Sequence, residues 1–164
     1  MGTPDFAVPC LEALHQSHHS IAAVITAPDK PAGRGRSPQA SPVKKKALEL
    51  GLHVHQPTNL KSPEFVDFFH GLGLDLNVVV AFRMLPEVIW SAPRLGTINL
   101  HASLLPAFRG AAPIQWAIAR GAEKTGLSTF RLAHAIDTGD VLLQKEIALN
   151  GTETGSSLYT EMMQ

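Results

Sequence analysis

The sequence contains little of what stabilises or anchors secreted and membrane proteins. It has one cysteine, Cys10, in 164 residues, which excludes an internal disulfide. No apolar run approaches the ~18 residues of a membrane-spanning helix, and no charged and then apolar leader precedes Cys10. We therefore expect a cytoplasmic protein without a membrane partner, in which Cys10 is a small buried residue.

An excess of one charge sign is also missing, because 14 Lys and Arg balance 14 Asp and Glu. No global field therefore attracts nucleic acid, and any such contact must be local. Residues 30–46 qualify, since they hold six cations and no acid. A solvated loop leading into a helix face is an equally good interpretation of this charge. The six cations are Lys30, Arg34, Arg36, Lys44, Lys45 and Lys46.

The hydrophobic residues (45%) and charged residues (17%) are in the usual proportions for one globular domain that folds without metal or disulfide. Continuous apolar runs predict buried parallel strands, and helical patterns alternate with them. The predicted strands are 21–27, 76–82 and 97–100, and the predicted helices are 6–16, 42–51 and 63–71. This alternation predicts an α/β fold, a Rossmann-like, doubly wound and mostly parallel sheet.

The pattern changes after a predicted helix at 110–121. Two strands, 126–132 and 141–148, are separated by the turn Asp137-Thr138-Gly139-Asp140, which predicts a mixed or antiparallel edge. A last helix begins at residue 155 and is capped by Thr154 or Ser156. At the other end, residues 1–5 read as a turn that leads into a helix, and in a doubly wound fold such a turn follows a first strand. We therefore expect that this strand is absent.

The densest polar motif is Asn99-Leu100-His101, at the end of the third predicted strand. Residues i and i+2 of a strand share a face, and ligands of open α/β sheets bind outside the carboxyl ends of the strands. A histidine can move a proton or stabilise negative charge, and an asparagine amide can donate to a tetrahedral oxyanion. The pair suggests acyl transfer, although a hydrogen-bonded structural role is an open alternative.

Asp137 is the natural third member of this group. A turn that contains glycine can aim a carboxylate inward, where it would orient a histidine ring and stabilise its protonated form. A plain turn is the other interpretation of Asp137-Thr138-Gly139-Asp140. No G-x-S-x-G motif and no His/Cys metal pattern offers a competing centre, so we expect no metal.

Three motifs together resemble the active-site signature of the folate-dependent formyltransferases. They are Asn99-Leu100-His101 with Ser103-Leu104-Leu105-Pro106, Arg109-Gly110-Ala111-Ala112-Pro113-Ile114, and Ile136-Asp137-Thr138-Gly139-Asp140. The resemblance implies that 10-formyltetrahydrofolate is the formyl donor and that no metal is used. It also implies that Asn99 and His101 bind and polarise the formyl group, while Asp137 orients His101 and assists proton transfer.

The same resemblance implies a folate pocket. Residues 80–86 correspond to the loop whose backbone reads the pterin ring, although a strand that runs into a helix start explains this segment equally well. The implied folate-binding residues are Phe82, Arg83, Met84, Leu85, Ser103, Leu104, Leu105, Pro106 and Asp140.

Residues 1–7 and 28–36 resemble the members of this family that formylate initiator methionyl-tRNA in translation initiation. In those members the basic loop contacts the tRNA acceptor arm, which implies tRNA contacts by Lys30, Arg34 and Arg36. The family's carboxy-terminal β-barrel is expected to be absent, as the first strand is, so we expect a monomeric catalytic domain truncated at both ends. An amino sugar or another small amine as acceptor, or an inactive folate- or RNA-binding fragment, are the alternatives.

Overall fold

The computed structural model describes residues 1–32 and 37–164, whose contacts divide into two compact units, Met1–Leu95 and Gly96–Gln164. The first unit contains a 3-10 turn (Asp5–Ala7), α1 (Val8–Gln16), β1 (Val24–Ile25), β2 (Lys30–Ala32), β3 (Ser37–Gln39), α2 (Pro42–Glu49), β4 (Val54–His55), α3 (Pro63–Gly71), β5 (Asn77–Val80) and α4 (Glu87–Trp90). The second contains β6 (Thr97–His101), α5 (Pro113–Ala119), β7 (Lys124–Arg131), β8 (Val141–Ala148) and α6 (Gly155–Met162). Among the residues described, none of the helices has the length and hydropathy to cross a membrane.

Strand β1 lies in a parallel pair, as its continuous apolar run predicted. β1 and β4 pair in parallel. Residues 1–2, predicted as part of a turn, instead extend this sheet. The Gly2 N–H donates to Ile25 O at 3.1 Å, and the Val80 N–H donates to Met1 O at 2.9 Å. Gly2 forms an isolated parallel bridge with Val80, and the backbone groups of residues 1–2 find partners on both sides.

The helices α2 and α3 begin at the residues that the sequence predicted. Ser41 Oγ accepts a hydrogen bond from the Lys44 N–H at 3.1 Å, and Ser62 Oγ accepts one from the Phe65 N–H at 3.3 Å. A proline follows each cap at the first helical position, where its missing N–H costs nothing. Each helix then buries an apolar stripe, for which Phe69 at 2% exposure is the clearest example.

Four short elements were not predicted. The predicted basic loop is flanked by the antiparallel strands β2 and β3, in which Lys30 lies opposite Gln39. β4 has two residues and α4 has four. Elements this short show no hydrophobic period, and they form because a partner segment pairs with them or packs on them.

The second unit is an antiparallel meander of β6, β7 and β8 with two helices. The mixed α/β fold with an antiparallel edge is therefore confirmed. α5 begins later than predicted because Gly110 and Ala112 adopt left-handed φ angles of 83° and 57°. α6 begins at the predicted cap, where the Ser157 N–H donates to Thr154 Oγ1 at 3.1 Å.

Candidate active site

Asp137 points its carboxylate at the imidazole of His101. Asp137 Oδ2 lies 3.6 Å from His101 Nδ1, and the side chains are 12% and 8% exposed respectively. This distance is an electrostatic contact rather than a short hydrogen bond. The same Oδ2 accepts a hydrogen bond from the Gly110 backbone N–H at 2.8 Å. The carboxylate is therefore held by the backbone while it faces the ring.

The other ring nitrogen of His101 faces a backbone carbonyl. His101 Nε2 lies 2.9 Å from Phe108 O, and Nε2 is the donor because a carbonyl oxygen only accepts. The ring also meets Phe130 edge-on, with the centroids 6.5 Å apart. The ring is therefore held in one orientation. A substrate oxygen that is to accept a hydrogen bond from Nε2 must displace the Phe108 carbonyl.

Asn99 lies two residues before His101 on β6, so both side chains leave the strand on one face. Asn99 is half-buried, and its side-chain amide has no hydrogen-bond partner in the part of the chain that the structure describes. An amide in this state presents a donor and an acceptor to a ligand.

Two residues that sequence reasoning missed hold the loop after His101. Ser128, which lies opposite His101 in the β6–β7 register, is fully buried. Its hydroxyl donates to Ser103 O at 2.6 Å and accepts from the Leu105 N–H at 3.0 Å. Gln144 Nε2 donates to Ser128 Oγ at 2.8 Å and to Leu105 O at 3.0 Å. A serine at an inward position of β7 was the available signal, but its partners are remote in sequence.

Left-handed backbone is concentrated around the His101–Asp137 pair. Non-glycine residues rarely adopt such conformations, which cluster at functional sites. Those of the second unit are Phe108, Ala112 and Asp137, with φ angles of 53°, 57° and 52°. Gly110, at φ 83°, adopts its conformation without that cost and presents its N–H to Asp137.

Gly139 brings the Asp137 turn against β7. A Cβ atom at this position would collide with the carbonyl oxygen of Arg131. The Arg131 N–H donates to Asp140 O at 3.0 Å, which closes the turn onto the strand. Glycine is required for this approach, and the approach places the Asp137 carboxylate beside His101.

The predicted folate residues of the first unit differ in exposure. Leu85 is buried, Phe82 is half-buried and Met84 is 73% exposed. The Arg83 guanidinium donates to the carbonyl oxygens of residues 57 and 58, to the latter at 2.9 Å. Arg83 therefore braces its own loop, and Met84 is the freest side chain of this group.

Those of the second unit follow the same division. Ser103 and Leu105 are buried, and Leu104 is half-buried. Ser103 Oγ donates at 2.6 Å to the carbonyl oxygen four residues on, so the hydroxyl is committed to the loop. Pro106, which follows a cis peptide bond, and Asp140 are exposed. These two residues are the most exposed of this group.

Part of the basic segment is paired with acids. Lys44 Nζ lies 2.7 Å from Asp29 Oδ2, and Gln56 Nε2 donates to Asp29 Oδ1 at 2.7 Å. Hydrogen bonds from Lys44 and then Gln56 hold the pKa of the Asp29 carboxyl below its ordinary value. Charge that the sequence displays as a basic run therefore partly stabilises the fold.

Lys46 is paired as well, with Nζ 3.0 Å from Glu12 Oε1 and 2.9 Å from Glu49 Oε2. Lys30 and Lys45 are exposed, and neither has an ion pair with another residue that the structure describes. The other two predicted tRNA contacts, Arg34 and Arg36, lie outside the described residues.

Comparison with known proteins identifies the family of this chain. The family model described as "Formyl transferase" matches residues 1–164. The chain belongs to the formyl transferase family. Within the described ranges, no group of three or more His, Cys, Asp or Glu residues is placed to hold a metal ion.

Two curated relatives in the formyl transferase family are methionyl-tRNA formyltransferases. That of Bacteroides fragilis is 52% identical over 163 residues, which cover 99% of this chain and 50% of that protein. That of Flavobacterium psychrophilum is 52% identical over 164 residues, with 99% and 52% covered. The chain thus spans about half the length of the curated relatives it matches.

Solved structures share the fold of this formyl transferase chain. The phosphoribosylglycinamide formyltransferase of Bacillus halodurans superposes with a TM-score of 0.79 at 21% identity, covering 98% of this chain and 84% of that one. That protein is named for a different acceptor, so the fold by itself does not distinguish acceptors.

Proposed function

We propose that this chain transfers a formyl group from 10-formyltetrahydrofolate to the amino group of initiator methionyl-tRNA, as a monomer in the cytoplasm. The observation that carries the proposal is the placement of Asp137 Oδ2 3.6 Å from His101 Nδ1, beside an Asn99 on the same strand as His101. The 52% identity to proteins named methionyl-tRNA formyltransferase supports the choice of acceptor.

The step joins nitrogen to carbon and releases the folate. The methionyl amine attacks the formyl carbon, and the electrons of the C=O bond move to oxygen. The Asn99 amide donates to this oxyanion, as does the N–H at Nε2 of His101 once the Phe108 carbonyl has moved aside. Collapse breaks the bond from carbon to N10 of the folate, which gains a proton as the amine loses one. Asp137 keeps the ring oriented and stabilises positive charge on it during this transfer.

The remaining site residues belong to the same proposal. The folate contacts are Phe82, Arg83, Met84, Leu85, Ser103, Leu104, Leu105, Pro106 and Asp140, and the tRNA contacts are Lys30, Arg34 and Arg36. The exposure of Lys30 and of Met84 supports these roles. Because the Arg83 guanidinium is paired with backbone carbonyls, Arg83 contributes to folate binding by holding the conformation of its loop.

A formyl-transfer assay with purified 10-formyltetrahydrofolate tests the proposal. Methionyl-tRNA, glycinamide ribonucleotide and an amino sugar are offered as separate acceptors, and formylated product is measured. We expect product with methionyl-tRNA alone. Transfer to a small amine only would show that methionyl-tRNA is not the acceptor. The absence of transfer to any amine would contradict the proposed formyltransferase activity.

The basic segment is tested separately by tRNA binding. Neutralising Arg34 and Arg36 together should weaken binding and lower the log–log salt slope by up to about two. Arg94→Gln is the matched control, because that exposed arginine pairs with Asp75 at 2.9 Å. If the double variant binds tRNA with the affinity and salt slope of the parent, the basic segment is a connector that does not contact tRNA.

A further inference from the structure

Trp116 on α5 is a large aromatic side chain that the fold leaves at the surface. It is 50% exposed, whereas Ile114 and Ala117 of the same helix are 5% and 0% exposed. The guanidinium carbon of Arg120 lies 5.6 Å from the ring centroid. A flat aromatic surface beside a cation suits a nucleotide, whose base stacks and whose phosphate is negative.

The helix places this surface next to the candidate active site. The Trp116 N–H donates to Ala112 O at 3.1 Å, and the Arg120 N–H donates to Trp116 O at 3.0 Å. Ala112, Trp116 and Arg120 therefore lie along one stripe, with Trp116 about 6 Å along the axis from Ala112. Gly110, two residues before Ala112, binds the Asp137 carboxylate. The stripe thus begins at the loop that holds Asp137.

Arg109 adds a second exposed cation at the end of the stripe nearest to Asp137. Within the residues that the structure describes, neither Arg109 nor Arg120 forms an ion pair. Lys124 of the same unit differs, since its Nζ lies 2.8 Å from Glu146 Oε2. An exposed indole ring with one arginine against it, and a second exposed arginine in the loop that precedes the helix, indicates an anionic, stacking ligand.

We propose that Arg109, Trp116 and Arg120 bind the unpaired 3′ end of the acceptor tRNA, with a base stacked on Trp116 and phosphates on the arginines. The inference rests on the proposed function, in which the reacting amine is attached to the end of a single RNA strand. That end must lie beside His101, so the nucleotides next to it pass over the surface that adjoins the Asp137 loop. An exposed stripe confined to the carboxyl end of α5 would lie too far from the Asp137 loop to contact these nucleotides.

The test measures the affinity of the chain for a short, fluorescein-labelled single-stranded RNA by fluorescence anisotropy. We expect Trp116→Ala to weaken binding about tenfold, because stacking of one base is lost, and Trp116→Phe to weaken it by at most about threefold. Arg120→Gln should lower the log–log salt slope by about one. Leu143→Ala, at a side chain of the same unit that is 74% exposed, is the control and should bind as the parent does.

An abasic RNA of the same length separates stacking from charge. The parent and Trp116→Ala should bind this probe equally, and both should bind it more weakly than the parent binds the intact RNA. Equal binding of the intact RNA by Trp116→Ala and the parent would overturn the inference, as would equal binding of the abasic and intact probes by the parent. Circular dichroism establishes that each variant is folded.

The outcomes also separate this inference from the proposed function. If the parent formylates methionyl-tRNA and Trp116→Ala binds RNA with the affinity of the parent, the proposed RNA-binding surface is wrong and the proposed function is retained. RNA binding that depends on Trp116, in a chain that transfers no formyl group, would support the surface and overturn the function.

Discussion

Polar side chains at the candidate active site are paired less completely than Asp29 and Arg83 of the first unit. In the first unit, Asp29 binds Lys44 and Gln56, and Arg83 binds backbone carbonyls. In the second unit, the Asn99 amide is unpaired among the described residues, and Asp137 faces His101 at 3.6 Å without a short hydrogen bond. Complete pairing stabilises a scaffold, whereas incomplete pairing at a partly buried position leaves groups that a substrate can use.

The backbone shows the same contrast. Among the described non-glycine residues with positive φ, Ala81 is the one in the first unit. Phe108, Ala112 and Asp137 are in the second, and all three lie in the loops around His101. Such conformations persist only where surrounding contacts hold them. The second unit therefore accepts backbone strain at these positions, and the strained loops fix the arrangement of its polar groups.

The sharpest test of this contrast is to remove one histidine from each unit. His101→Ala should lower the rate of formyl transfer by roughly two to four orders of magnitude, because an oxyanion contact and a proton-transfer group are lost. His55→Ala, which removes a ring whose centroid lies 3.9 Å from that of Phe68 in the first unit, should leave kcat unchanged. Steady-state kinetics measure both variants, and near-normal turnover in His101→Ala would remove His101 from the mechanism.

Asn99→Ala should give a similar or somewhat smaller loss, chiefly in kcat rather than in folate affinity. Its donor matters most when negative charge develops on the formyl oxygen. The comparison of kcat with the dissociation constant for the folate checks this. A loss confined to folate binding would show that Asn99 only holds the donor.

An aspartate from each unit makes a second pair. Asp137→Asn keeps the side-chain shape and tolerates φ 52°, but removes the charge that faces His101. Transfer should fall roughly a hundredfold with little loss of stability. Asp29→Asn is the matched change in the first unit and should leave the rate unchanged. Equal rates in Asp137→Asn and the parent would show that the carboxylate has no catalytic effect.

Two glycines of the second unit test whether the turn positions Asp137. Gly139→Ala places a Cβ against the Arg131 carbonyl and should lower the free energy of unfolding by about 1–3 kcal/mol. Gly155→Ala, where no atom lies within 4 Å of the new Cβ, should change it by less than about 1 kcal/mol. Urea denaturation measures both variants. Equal stabilities would mean that the turn moves freely away from β7.

The smallest expected effect concerns acid stability in the first unit. The folded-state pKa of Asp29 is lowered by Lys44 and Gln56, so this carboxylate stabilises the fold above its ordinary pKa of 3.8. The contribution is lost as the pH falls through the lowered value. Asp29→Asn should therefore flatten the fall of the unfolding free energy below about pH 4, by a small amount because water screens the pair.

Asp75→Asn is the control for this measurement, because Asp75 and its partner Arg94 are 73% and 71% exposed. It should retain the acid dependence of the parent. Identical acid limbs in Asp29→Asn and the parent would show that the pairing of Asp29 has no net effect on stability.

Much of the fold was predictable because its signals are local. Thr154 caps the last helix as predicted, and Ser41 and Ser62 cap two helices whose ranges were predicted from their apolar pattern. The antiparallel pair β7 and β8 lies where two strands were expected around a glycine-containing turn. The short strands β2, β3 and β4 were not predicted because each forms only by pairing with another strand, and no residue within them indicates which segment that is.

Neighbours within a few residues were enough to predict helices α1, α2, α3 and α6, the strands β7 and β8, and the expected common face of Asn99 and His101. The sequence suggested Asp137 as a partner of His101, but the 3.6 Å contact between them depends on tertiary structure. The same is true of the hydrogen bonds by which Ser128 and Gln144 hold residues 103–105, and of the ion pair between Lys44 and Asp29. Whether a polar side chain is paired or free depends on the segment that folds against it. That segment is distant in the chain, so local spacing carries no information about it.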